Sequence, residues 1–258
     1  MSLTLGDLSG VGFVSGAASG MGKAVALFCA QAGMQLILVD LDLPGLEATA
    51  KETGLPADDV YIKQVDISND QQVEELFAEI ERKFGRLDYA VNAAGITGRE
   101  HGPLLEVSQQ DFDWVMNVNL RGTALCCRAE IQLMLKNKPS ESREALGSIV
   151  NFASWSSFHG HYETPHYTAS KFAVDGLTKC LCIAYAAKGI RVSAVAPGVI
   201  DTPMLAPQYR DAFNATLIPQ GRLGKATDVA FAVMCLLCPR MAFVNGIALR
   251  VDGGMDAR

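Results

Sequence analysis

Short β-branched and apolar runs separated by stretches of helical periodicity constrain this chain more than any other feature. The runs occupy residues 11–15, 35–40, 60–65, 89–92, 148–152, 191–196 and 247–251. Between them, residues 23–32, 70–84, 109–135, 167–187 and 228–237 repeat apolar side chains at helical spacing. Strands that alternate with helices imply right-handed βαβ crossovers and a parallel sheet buried on both faces. The expected fold is therefore α/β, a doubly wound parallel sheet with helices on both faces, in one domain spanning residues 1–258. Helix starts are signalled at Ser68 or Asn69, at Ser108 with Asp111 three residues on, and at Thr227 with Asp228 following.

Composition limits what such a fold can serve. The net charge is −6, and no run of Lys or Arg is available to track a phosphate backbone, so nucleic acid is not an expected partner. No stretch approaches the ~20 uninterrupted apolar residues of a membrane span, and the N-terminus carries no basic segment ahead of an apolar one. The expectation is a soluble, intracellular, cytoplasmic protein that binds no membrane. The seven cysteines lie in apolar segments, which reads as reduced core thiols. Cys235 and Cys238 have the spacing of half a zinc site, but no second pair accompanies them, and no metal is expected.

The first run passes into Ser15-Gly16-Ala-Ala-Ser19-Gly20-Met21-Gly22, and helical periodicity begins directly afterwards. Glycines between a strand and a helix allow a tight turn and a close backbone approach to a pyrophosphate, while the helix N-terminus supplies free N–H groups. A three-glycine turn is weak evidence alone; its place in a βαβ unit strengthens it. The second run ends in Asp40, eighteen residues past Gly22, where an acid can bind adenosine ribose hydroxyls. That carboxylate disfavours a 2′-phosphate, and neither Ser19 nor Leu41, where a compensating base would stand, is basic; Lys23 is close in sequence but should point away from the helix's first turn, and its part stays open. The expected cofactor is NAD, with NADP the less favoured. Asp40 as a merely solvated strand-end acid stays open.

Further on, Tyr167 and Lys171 stand four residues apart, on one face of a helix if the segment is helical. A tyrosine packed on a lysine stem is the plain reading of that pair. With the other motifs in view, the chain resembles the short-chain dehydrogenase/reductase family from about Leu8 to Gly254. The motifs are the glycine turn, Asp66 in QVDIS, NAAG at 92–95, NVNLRG at 117–122, IVNFAS ending in Ser154, YTASK, PGVIDT from Pro197, and VDGG at 251–254. The resemblance implies a Rossmann-like fold and an oxidoreductase that transfers hydride between NAD(H) and a secondary alcohol or ketone. It carries the family tetrad onto Asn119, Ser154, Tyr167 and Lys171. Tyr167 would be the general acid or base, Ser154 would hold the substrate oxygen, and Lys171 would bind the nicotinamide ribose. Asn119 would anchor a water that links Lys171 to solvent. Bringing a phenol from ~10 to near neutrality needs ~4 kcal/mol of preference for phenolate, an amount a partly shielded ammonium ~4 Å away can supply.

By the same resemblance, Asp66 and Ile67 meet the adenine, and Asn92, Ala93, Ala94 and Gly95 follow the ribose and phosphates. Pro197, Gly198, Val199 and Thr202 meet the carboxamide. Ser15 replaces the usual threonine of the turn, and NAAG replaces the commoner NNAG. The pocket walls are expected from WSSFHGHYETPH and from the passage after Gly198, with Trp155, Phe158, His161, Tyr162 and Met204 as lining candidates for a bulky or cyclic substrate. Residues 204–213 read as a lid. A metal held by His159, His161 and His166 is not expected, since no acid accompanies them on that stretch. The resemblance also implies a homotetramer or homodimer. Two other readings stay open: non-redox chemistry such as isomerisation, elimination or cyclisation at the same site, and a non-catalytic dinucleotide sensor.

Overall fold

The computed structural model describes residues 8–138, 145–205 and 218–257. Seven parallel strands form its main sheet. They are β1 (Gly10–Ser15), β2 (Met34–Asp40), β3 (Val60–Gln64), β4 (Tyr89–Asn92), β5 (Gly147–Phe152), β6 (Ile190–Pro197) and β9 (Ala248–Val251), in spatial order β3-β2-β1-β4-β5-β6-β9. A separate two-residue ladder joins β7 (Ile200–Asp201) to β8 (Gly224–Lys225). The chain winds outward from β1 to β3 and returns to β4 on the other side of β1. The strand order reverses there, and a crevice opens at the carboxyl ends of β1 and β4.

Alternation along the central strands sends side chains into two cores. Val14, Leu36 and Leu38 pack on one face against α1 (Gly20–Gln31) and α7 (Ala226–Leu237). Phe13, Ile37 and Val39 pack on the other against α3 (Asp70–Phe84) and α5 (Thr123–Met134). Both faces are thus covered, as the near-continuous apolar strands require.

Several boundaries differ from the sequence expectation, each for a local reason. A helix that the periodicity did not reveal, α2 (Leu43–Thr53), carries Pro44 and Gly45 in its first turn. Asp42 caps it by accepting from the Gly45 amide (3.1 Å), and Gly54 ends it in a left-handed conformation. Asn69 and Ser108 cap α3 and α4 (Gln109–Met116), whereas the last helix begins two residues before Asp228, whose carboxylate accepts from the Lys225 amide (2.8 Å). The stretch expected as one helix over residues 109–135 is two helices joined by a π turn at Asn117–Gly122. The helix bearing Tyr167 and Lys171 is α6 (Pro165–Tyr185). Residues 139–144 of the polar connection and residues 206–213 of the expected lid lie outside the described residues. Cysteine burial is uneven: Cys29, Cys126, Cys127 and Cys238 are buried, Cys180 is exposed, and all seven are free thiols. Among the described residues, no helix is long and apolar enough to cross a membrane.

Beneath the crevice lies a buried polar network. Asn92, 2 % exposed, donates to Glu130 Oε2 (3.1 Å) and Asn151 Oδ1 (3.0 Å), and Asn151 donates to Thr178 Oγ1 (3.0 Å). Burial raises the Glu130 carboxyl from 4.5 to about 8. Between those two values the unfolded chain releases a proton that the folded chain keeps, so folding stability falls as pH rises through that window. Glu130→Gln preserves the shape and removes the titration. The variant should gain on the parent by a few kcal/mol, in order of magnitude, between pH 5 and pH 8.5. Urea midpoints at the two pH values check this, and a difference that does not change with pH would refute it.

Candidate active site

The glycine turn is shaped by contact. Gly16 has φ 70°, and a Cβ there would stand 2.7 Å from the Ala94 amide nitrogen. A Cβ on Gly22 would stand 2.1 Å from the Gly16 carbonyl oxygen, so α1 packs on the turn only without a side chain at that position. Ser15 Oγ accepts from the Ala94 amide (3.4 Å), tying β1 to the loop after β4. Ser19 sits at the N-cap of α1 without bonding an amide, and the first turn holds no acidic residue. The helix thus presents amide groups and its positive end without a side-chain anion to neutralise them. The cradle, the open helix end and the crevice suit a dinucleotide pyrophosphate.

Asp40 does more than close a strand. Its Oδ2 accepts from the Ala18 amide in the turn (3.0 Å) and its Oδ1 from Asp42 (3.1 Å). Leu41, beside it, is exposed. Asp66 accepts from the Ser68 amide and hydroxyl (2.9 and 2.7 Å), and Ile67 packs where a Gly122 side chain would be. Asn92 is placed differently from the resemblance: its side chain enters the polar network under the sheet and is withdrawn from the crevice.

A cavity of about 520 Å³ opens at the carboxyl ends of the strands. Met21, Ala93, Gly95, Pro197, Gly198, Val199 and Thr202 line it, and so do Ser154, Tyr167 and Lys171. Ser154 lies near enough to Tyr167 to favour its ionised form, and its Oγ accepts from the Ser156 amide (3.1 Å), capping the turn Trp155–Ser157. Lys171 donates from Nζ to the Phe152 carbonyl (2.8 Å). Asn119 lies behind the cavity wall, at the π turn. Its amide donates to Ile96 O (2.8 Å) and Ser170 Oγ (3.0 Å), and its Oδ1 accepts from Ile96 N (2.8 Å). Asn119 Oδ1 and Lys171 Nζ converge on Gly95, where a Cβ would stand 3.2 and 3.4 Å from them. The structure therefore brings the four tetrad positions together.

Their electrostatics differ from the expectation. Burial raises Tyr167, with Ser154 acting against it, and burial lowers Lys171 to about 8. The ammonium turns to Phe152 and sits 5.6 Å from the centre of the tyrosine ring, so desolvation outweighs its pull on the phenol.

Of the five lining candidates, Trp155, His161 and Met204 line the cavity and two do not. Phe158 packs on Ala153, Ala194 and Ala196, under the Arg250 guanidinium (4.5 Å). Tyr162 is 72 % exposed, and its hydroxyl donates to Glu163 (2.9 Å). The histidines disperse: His159 pairs with Asp256, and His166 faces Asp111 at 3.2 Å. Thr97, His101 and Met255 also line the cavity, although no motif pointed to them, and so does Glu163 of the expected wall segment.

A reversed strand order above a glycine cradle, with serine, tyrosine and lysine on one cavity wall, defines an α/β protein of the dinucleotide-binding architecture. A family profile described as Enoyl-(Acyl carrier protein) reductase matches residues 16–256. The 2-(R)-hydroxypropyl-CoM dehydrogenase of Xanthobacter autotrophicus is 40 % identical over 257 residues, covering 97 % of this chain and 100 % of its own. The 3-oxoacyl-[acyl-carrier-protein] reductase FabG of Thermotoga maritima is 36 % identical over 246 residues, covering 94 % and 96 %. The crystal structure of levodione reductase superposes with a TM-score of 0.88 at 33 % identity, covering 98 % of this chain and 99 % of that one; the levodione reductase of Leifsonia aquatica is 33 % identical over 257 residues, covering 95 % and 93 %. The chain belongs to the short-chain dehydrogenase/reductase family, oxidoreductases that use nicotinamide cofactors.

The Gly22 contact yields a direct test. Gly22→Ala should push α1 away from the turn and weaken dinucleotide binding at least about tenfold in titration calorimetry. Unchanged binding would mean that the turn does not hold the pyrophosphate.

Proposed function

We propose that the protein transfers hydride between NAD(H) and a secondary alcohol or ketone. One observation carries the reading: Ser154 and Tyr167 line one wall of a cavity that Lys171 also lines. A carbonyl oxygen placed against both receives a hydrogen bond from Ser154 and a proton from Tyr167; in the oxidative direction Tyr167 takes that proton. Lys171 stays largely protonated at neutral pH even with its value lowered to about 8, so it can replace the proton. Asn119 holds the Ile96 backbone beneath the site. The nicotinamide group, when bound, supplies or accepts the hydride. Its positive oxidised form adds the charge that Lys171 alone does not bring to bear on the phenol.

Gly16 and the segment Ser19–Gly22 would hold the pyrophosphate, Asp40 and Leu41 the adenosine ribose, and Asp66 and Ile67 the adenine. Ala93, Ala94 and Gly95 would follow the chain of the cofactor to Pro197, Gly198, Val199 and Thr202 at the carboxamide. NAD is favoured over NADP because a 2′-phosphate ~4 Å from the Asp40 carboxylate meets up to ~4 kcal/mol of repulsion per unit charge at an effective dielectric near 20. Trp155, His161 and Met204 favour a bulky or ring-bearing carbonyl compound. The exposed Phe172 and Ile183 on α6 support association into a dimer or tetramer, and we place the protein in the cytoplasm.

Tyr167→Phe should lower turnover about 10²–10⁴-fold while dinucleotide binding persists, as steady-state NADH absorbance and calorimetry would show. Turnover of the Phe variant near the parental rate would remove Tyr167 from the chemistry. For the cofactor, Asp40→Asn should raise kcat/KM with NADPH relative to NADH by roughly tenfold or more. A parent that already prefers NADPH would overturn the reading of Asp40.

A further inference from the structure

The C-terminal end of the described chain turns back onto the loop that follows Ser154. Beyond β9 the backbone enters a short turn, Met255–Ala257, which Asp252 closes by accepting from the amides of Gly254 (2.9 Å) and Asp256 (3.0 Å). The Asp256 carboxylate is 7 % exposed and lies between the Arg250 guanidinium of β9 and Nε2 of His159. Both partners are stacked on the loop: Arg250 over the Phe158 ring at 4.5 Å, and His159 on Trp155 at 4.3 Å with an interplanar angle of 22°. Trp155 and Met255 both line the cavity, and Met255 Sδ stands 3.1 Å from the position a Gly198 Cβ would take. A carboxylate so far withdrawn from water needs these partners, which are themselves partly exposed. One side chain therefore joins two cavity walls that lie a hundred residues apart in sequence.

We propose that Asp256 is a positioning residue whose pairing with His159 and Arg250 holds Met255 and Trp155 in place as the distal walls of the substrate site. The latch thereby favours carbonyl compounds large enough to touch both. Its effect on substrates rests on the oxidoreductase reading above; its effect on the loop does not. A small ketone bound only at Ser154 and Tyr167 never reaches the latch. A ring-bearing ketone that extends to Met255 loses those contacts when the turn is released.

The test compares the parent with Asp256→Ala and with His159→Gln, the milder change in case the first variant folds poorly. Each is assayed with butan-2-one and with an alkyl-substituted cyclohexanone, and amide hydrogen exchange is followed by mass spectrometry. The expected result is a KM for the cyclic ketone raised about tenfold with kcat within about threefold, little change in KM for butan-2-one, and faster exchange in residues 155–161 and 252–257 together. The double variant should cost no more than Asp256→Ala alone, because both changes open the same latch. Equal KM increases for the two ketones, or exchange in 155–161 that stays parental, would overturn the proposal. A parent that turns over neither ketone but shows the linked exchange in its variants would refute the oxidoreductase reading and uphold the latch.

Discussion

A buried ammonium organises the candidate site. Lys171 is 5 % exposed, and removing its charge from water is costly unless an acceptor is present; the Phe152 carbonyl at the end of β5 fills that role. The bond pins α6 to the sheet one turn beyond Tyr167, and the Ser157 hydroxyl adds a second tie by donating to the Lys171 carbonyl (2.7 Å). The same segment after β5 carries Ser154 to the tyrosine. The lysine's bond to the strand end thus sets Ser154 and Tyr167 on one cavity wall. Burial in this arrangement lowers Lys171 to about 8.

Much of the architecture was legible because parallel strands, buried on both sides, must read as apolar runs, and seven such runs correspond to the seven strands of the main sheet. Helix α2 was hidden because its first turn contains Pro44 and Gly45, residues that signal a turn unless Asp42 is recognised as the cap. The π turn was hidden for a different reason: periodicity over residues 109–135 is nearly regular on both sides of it, and a single surplus residue leaves little trace in the pattern. Among site residues, the glycine turn and the tetrad could be found because their chemistry demands particular residue types at particular spacings. Walls are less constrained. Phe158 and Tyr162 have the composition of a pocket lining, but one satisfies an arginine and the other a glutamate. Met255 and His101 line the cavity although nothing local distinguishes them, since their positions follow from how distant loops fold back.

The electrostatic finding separates two ideas that the Tyr–Lys spacing merges. The spacing implies proximity on one helix face, which the structure shows, whereas burial raises the phenol instead of lowering it. Depth in the protein disfavours charge on both groups, raising one and lowering the other. The pair is better described as an un-ionised phenol beside an ammonium that burial weakens but leaves charged at neutral pH than as an acidified tyrosine.

The widened turn at Asn117–Gly122 has a consequence for how this chain can vary. A turn of that kind absorbs one residue more than an α-helix would, and the flanking helices keep their registers on α6 and α3 because the excess is taken up locally. Shortening the segment by a single residue would let it heal into an ordinary helix with both cores intact, and only the inward aim of Asn119 would be lost. What the extra residue maintains is the reach of one buried carboxamide to Ile96 and Ser170.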